Sequence, residues 1–151
     1  MIMKQSRRLF ATFQDTIYSL STGWGKSAIA VIRISGPNAK IAANLTKPST
    51  ELRLKPRFAY YKTFYDIFTP NKKPIDQGIL LYFKSPNSFT GEDMMEFQIH
   101  GSHVTRRMLL DALAKIPEFR QALPVSHHLF KSVGRIHKTS SFQWQIRLAT
   151  G

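Results

Sequence analysis

Arg33 and Glu96 are the residues best placed to do chemistry, because each interrupts an alternating apolar run. Arg33 lies in Ile29-Ala30-Val31-Ile32-Arg33-Ile34-Ser35-Gly36, and Glu96 in Met94-Met95-Glu96-Phe97-Gln98-Ile99-His100. A charge on a buried or half-buried strand is costly unless it is paired or binds something. Glu96 falls on the polar side of its strand, with Gln98 and His100, while Met95, Phe97 and Ile99 face the other way. Two readings stand at this point. Structural ion pairing or solvation explains such charges, and so does a ligand that supplies the missing partners.

Two further groups suggest chemistry and do not carry it. Gly25-Lys26-Ser27 resembles the end of a phosphate-binding loop, but that loop needs a glycine five positions before Gly25, and Leu20 stands there. His100, His103, His127 and His128 suggest a metal. His127 and His128 are adjacent and cannot both point at one site from regular structure, and no acid follows Glu118. Several converging ligands are needed, so no metal is expected.

The elements that must position Arg33 and Glu96 follow from periodicity. Asp15 to Leu20 reads as a short strand and Ala28 to Ile34 as a buried, β-branched strand. Ser35-Gly36-Pro37-Asn38 stops it, and Ala39 to Leu45 reads as a short helix. Phe58 to Phe68 is an aromatic-rich strand, Thr69 to Asp76 a loop with two prolines, and Gly78 to Phe83 the returning strand. After a loop at Lys84 to Asp93, Met94 to His100 is a strand. Ser102 caps a helix whose apolar positions are Val104, Met108, Leu109, Ala112, Leu113 and Ile116, with Pro117 as a stop. The expected architecture is α+β, a mixed sheet with packed helices around one core.

The 151 residues suit one domain, and the absence of cysteine excludes disulfides and thiolate metal sites. No apolar run approaches the roughly 18 residues of a membrane span, and no membrane partner is expected. The formal net charge of +13 comes mostly from the ends. Residues 1–14 carry Lys4, Arg7 and Arg8 without an acid, and residues 119–151 carry Arg120, Lys131, Arg135, Lys138 and Arg147 without an acid. A basic surface suits nucleic acid, but this distribution does not outline a binding groove. The 1–14 stretch mixes Arg with Ser, Leu, Phe and Ile, as a mitochondrial presequence does.

Several linked motifs resemble the amino-terminal domain of the MnmE/TrmE tRNA-modification GTPases. They are Asp15-Thr16-Ile17, Ile29 to Gly36, Asp76-Gln77-Gly78, Pro86-Asn87-Ser88-Phe89-Thr90-Gly91-Glu92-Asp93 and Glu96-Phe97-Gln98-Ile99-His100-Gly101. The resemblance covers about residues 15–124 in order. It implies a fold similar to the tetrahydrofolate-binding domain of aminomethyltransferases, a homodimer through this domain, and 5-formyl-tetrahydrofolate or a related folate as ligand. In the whole family member it implies a GTPase domain using GTP and potassium. That protein acts with an MnmG-type flavoprotein on carbon 5 of the tRNA wobble uridine. By match to the motifs, Arg33 and Glu96 occupy folate positions. A pterin presents an exocyclic amine and a ring N–H side by side, and one carboxylate accepts both; an arginine suits a carboxylate or carbonyl oxygen of the ligand. Two other classes remain, a stand-alone aminomethyltransferase-like folate protein and a basic RNA-binding module using Arg57, Lys62 and the aromatics of 58–68.

After Leu123-Pro124 the resemblance breaks. The family continues with Gly-Glu-Phe-Thr and then Phe-Asn-Gly-Lys-x-Asp-Leu, whose lysine is a third folate contact; this chain has Val125-Ser126-His127-His128. Codons exist for Gly134 to Thr150 that, read one base later, restore both blocks in order. Val125-Ser126 accommodates a splice donor, and Val133 with the first base of Gly134 an acceptor. Residues 125–151 are therefore expected to be an aberrant tail from a retained intron and a shifted frame, and poorly ordered. The chain so read lacks the GTPase domain, binds folate weakly if at all, and neither hydrolyses GTP nor modifies tRNA.

Overall fold

The computed structural model describes residues 15–23, 25–46 and 53–122. The expected presequence at 1–14, the tail at 125–151 and the His127-His128 pair lie outside the described residues. Among the described residues six strands form one sheet: β1 Thr16–Leu20, β2 Ile29–Ser35, β3 Tyr60–Asp66, β4 Lys73–Phe83, β5 Met94–His100 and β6 Phe119–Gln121. Their order is β3-β4-β5-β2-β1-β6. Neighbours run antiparallel except β1 and β6, which are parallel, so the sheet is mixed. A 3-10 helix at Ala39–Thr46 and helix α1 at His103–Ala114 complete the α+β fold.

One sheet face and the two helices enclose the core. Ala30, Ile32 and Ile34 of β2 and Met95, Phe97 and Ile99 of β5 meet Ala39, Ala42 and Leu45 of the 3-10 helix and Leu109, Ala112 and Leu113 of α1. Phe64 and Phe97 pack edge to face with centroids 4.9 Å apart. Ser102 caps α1 by accepting from the Thr105 N–H, as its spacing predicts. Gly36 has φ +140°, and a Cβ there would sit 2.7 Å from Thr16 Cα, so the turn after β2 requires glycine.

The structure departs from the sequence reading in four places. β3 begins at Tyr60, because Arg57, at φ 61°, folds the chain into a turn that places Phe58 before the ladder. β4 starts at Lys73 and not at Gly78; Pro74 is tolerated because β5 pairs β4 only from Ile79 onward and the β3 register shifts between Phe64 and Tyr65. Val104, expected on the apolar stripe of α1, is 66% exposed, and Arg106 and Leu110 are buried instead. β6 is a three-residue strand with no periodic signal of its own.

Candidate site on the open sheet face

Among the described residues no helix covers the opposite sheet face, and the pair singled out in the sequence lies near its middle. Arg33 and Glu96 are direct cross-strand partners on β2 and β5. Ser19 of β1 flanks Arg33 and Leu81 of β4 flanks Glu96. The Arg33 guanidinium donates from Nε to Glu96 Oε2 at 2.7 Å. The Glu96 side chain is 10% exposed and that of Arg33 22%, so the pair is largely withdrawn from water yet open on one side. At this depth the partner is what keeps each charge tolerable. The structural and the ligand readings thus meet in one object: the two charges pair with each other and still face outward.

Three neighbours prepared by the fold escaped the sequence reading. Gln98, two residues along β5 and so on the same face, donates from Nε2 to Glu96 Oε1 at 2.9 Å. Its spacing was the available signal. The second is a hydroxyl and carboxylate relay that ties the 84–93 loop to β2. Ser35 donates to Glu92 Oε2 at 2.9 Å and lies 2.7 Å from Thr90 Oγ1. Ser35 has one proton, so Thr90 donates to Ser35 in turn. This fastens the loop two residues beyond Arg33. Ser21, which continues the β1 ladder onto the same face by bonding Val31 O through its N–H, has a buried hydroxyl without a partner among the described residues.

The third is Asp76 with His100. The Asp76 carboxylate accepts from the His100 backbone N–H at 2.8 Å and lies 2.9 Å from its Nδ1. Burial works to raise the Asp76 pKa. The bonds from the His100 backbone and ring, the Gln77 N–H and the imidazole charge outweigh it and hold the group below the usual carboxylate range. A depressed carboxyl stabilises the fold above its unfolded pKa of about 3.9, and that contribution disappears as pH falls through the folded value. Asp76→Asn is therefore expected to lower the urea midpoint at neutral pH. It should also flatten the loss of stability as pH falls below about 4. Parallel curves for the two proteins across that range would refute the assignment.

Gly25-Lys26-Ser27 leads directly into β2, whereas a phosphate-binding loop opens a helix. Its place is structural. Arg106, 4% exposed, reaches the Gly23 and Gly25 carbonyls from α1, both at 3.4 Å. The Ser27 carbonyl lies against Gly101, where a Cβ would come within 1.9 Å. His100 is committed to Asp76, and no group of three or more potential metal ligands gathers among the described residues.

Among the described residues the fold is a mixed six-stranded sheet that carries a guanidinium–carboxylate pair on the face opposite its helices. The family described as GTP-binding protein TrmE N-terminus matches residues 16–125, and the chain belongs to that family. It is 47% identical over 102 residues to the tRNA modification GTPase MnmE of Wolbachia sp. subsp. Drosophila simulans (strain wRi), covering 68% of this chain and 22% of that protein. It is 43% identical over 107 residues to the mitochondrial tRNA modification GTPase gtpbp3 of Dictyostelium discoideum, covering 68% and 20%. The MnmE of Pseudomonas fluorescens (strain Pf0-1) is 44% identical over 97 residues, with 64% and 20% covered. The chain thus spans about a fifth of the length of the curated relatives it matches, and the likeness lies in the amino-terminal domain of tRNA modification GTPases.

Proposed function

We propose that residues 15–124 form a folate-binding and dimerisation domain of a tRNA-modification GTPase, similar in fold to the tetrahydrofolate domain of aminomethyltransferases. The observation that carries the proposal is the Arg33–Glu96 pair, joined at 2.7 Å on the sheet face that no helix covers among the described residues. Glu96 would accept the adjacent amine and ring N–H of a pterin, and Arg33 would hold an acceptor oxygen of the ligand. The ligand is 5-formyl-tetrahydrofolate or a related folate, which supplies a one-carbon unit when bound. This chain's residues hold the ligand and exclude water from its polar edge. The whole protein would act with an MnmG-type flavoprotein and tRNA at carbon 5 of the wobble uridine, and its GTP and potassium belong to a further domain. The acid-free basic leader and the mitochondrial relative support a mitochondrial member of the family. The family match favours this reading over a stand-alone aminomethyltransferase-like protein and over a basic RNA-binding module.

The lysine-bearing block expected after Pro124 does not stand in this sequence, so one of three polar contacts is missing. A hydrogen bond to a charged group contributes about 1.5–3 kcal/mol. Calorimetric titration with 5-formyl-tetrahydrofolate is accordingly expected to give a Kd weaker than about 1 µM, and Glu96→Gln to weaken it further. Submicromolar binding would contradict the weakened site. Binding indifferent to Glu96→Gln would sink the folate reading.

A further inference from the structure

We infer that Gln98 is the positioning residue of the Glu96 carboxylate, and that it shapes the site for a ligand edge with two adjacent N–H donors. Each carboxylate oxygen has two acceptor sites. Arg33 Nε fills one on Oε2 at 2.7 Å, and Gln98 Nε2 fills one on Oε1 at 2.9 Å. Among the described residues these are the side-chain donors to Glu96, so one acceptor site remains on each oxygen. The two held donors pin the carboxylate against rotation, because any turn about its terminal bond breaks both contacts. A ligand meeting a fixed acceptor pair is spared the ordering cost of creating one.

The placement of Gln98 leaves its amide few alternatives. Its cross-strand neighbours are Val31 on one side and Ile79 on the other, both apolar. The polar group it reaches is the carboxylate two residues back along its own strand. The amide must present nitrogen there, since its oxygen facing a carboxylate would be repelled. A carbonyl-only or anionic edge would meet the Glu96 oxygens without a proton to share, whereas an amidine-like edge, such as that of a 2-amino-4-oxo pyrimidine ring, matches them. The identity of the ligand rests on the folate reading above; the clamp itself rests on the two distances.

The test uses the full chain with Gln98→Met, which keeps length and removes the donor, and Gln98→Lys, which restores a donor. Against 5-formyl-tetrahydrofolate, the Met variant is expected to bind about tenfold more weakly, the scale of one hydrogen bond to a charged group, with its far-ultraviolet circular dichroism showing the native fold. The Lys variant should recover most of that loss. Unchanged affinity in the Met variant, or an equal loss in both, would overturn the assignment. The side-chain amide signals of Gln98 in an ¹⁵N-correlated NMR spectrum give a readout that needs no ligand. They should shift on Glu96→Gln if the clamp exists, and signals that stay in place would overturn it. If the parent chain takes no folate, the ligand reading fails, and the NMR arm still decides the clamp.

Discussion

Arg33→Met is expected to lower the unfolding free energy by about 2–3 kcal/mol, below the 3–5 kcal/mol of fully buried pairs because Arg33 retains some exposure. The methionine keeps the aliphatic bulk on β2 and removes the charge. Among the described residues, Glu96, 7% exposed, then keeps only the Gln98 amide as a side-chain donor. A buried carboxylate short of its countercharge is the costly species. The measurement is urea unfolding at neutral pH with the slope held to the parent value. A change under about 0.5 kcal/mol, the size of an ordinary surface substitution, would show that the pair is solvated and idle.

The same prediction separates fold from function through the double variant Arg33→Met, Glu96→Leu. Replacing both charges with apolar groups of similar size is often neutral or stabilising. The double variant should therefore recover most of the lost stability while failing to take up 5-formyl-tetrahydrofolate. A pair kept solely for the fold would give no such split, because ligand binding would follow stability.

That the pair was legible in the sequence has a physical basis. A charge in a strand of alternating apolar residues violates the period that buries the strand, and such violations collect at sites. The motifs carrying the family likeness contain both residues. Their convergence from neighbouring strands was expected, but their direct pairing was not legible. Arg33 and Glu96 lie 63 residues apart, and their meeting depends on the β2–β5 register, which places Ile32 against Phe97 on the core side and the two charges together on the other. Gln98 is an unremarkable strand polar residue until that register aims its neighbour outward. Asp76 was visible only within a motif, because its partner His100 is fixed by the end of β5 and not by local spacing.

The fold followed its periodicities where burial is one-sided and escaped them where it is not. β2, β5 and α1 were legible because one face meets a common core. The amino-terminal half of β4 was not, since Lys73 to Gln77 pairs with β3 alone and two prolines at Pro70 and Pro74 read as a loop. Val104 took the helical period but sits exposed in the first turn of α1, while Arg106 is drawn inward by the Gly23 and Gly25 carbonyls.

Gly78→Ala is expected to destabilise the protein by more than about 3 kcal/mol, beyond the usual 1–3 kcal/mol of an overpacked core. Gly78 lies in β4 between β3 and β5, opposite Lys62. A Cβ there would come within 2.0 Å of the Gln98 carbonyl oxygen and 3.1 Å of the Phe64 ring. The ring can shift; the backbone carbonyl cannot without parting β4 from β5, the connection that carries Leu81 beside Glu96 and Ile79 beside Gln98. The glycine is therefore required by strand approach and not by a turn. Because the displaced atom belongs to Gln98, any molecules that still fold should also bind ligand poorly. Thermal unfolding and folate titration of the same variant test both halves. A folded Gly78→Ala protein of near-parent stability would show that β4 and β5 lie further apart than this close approach requires.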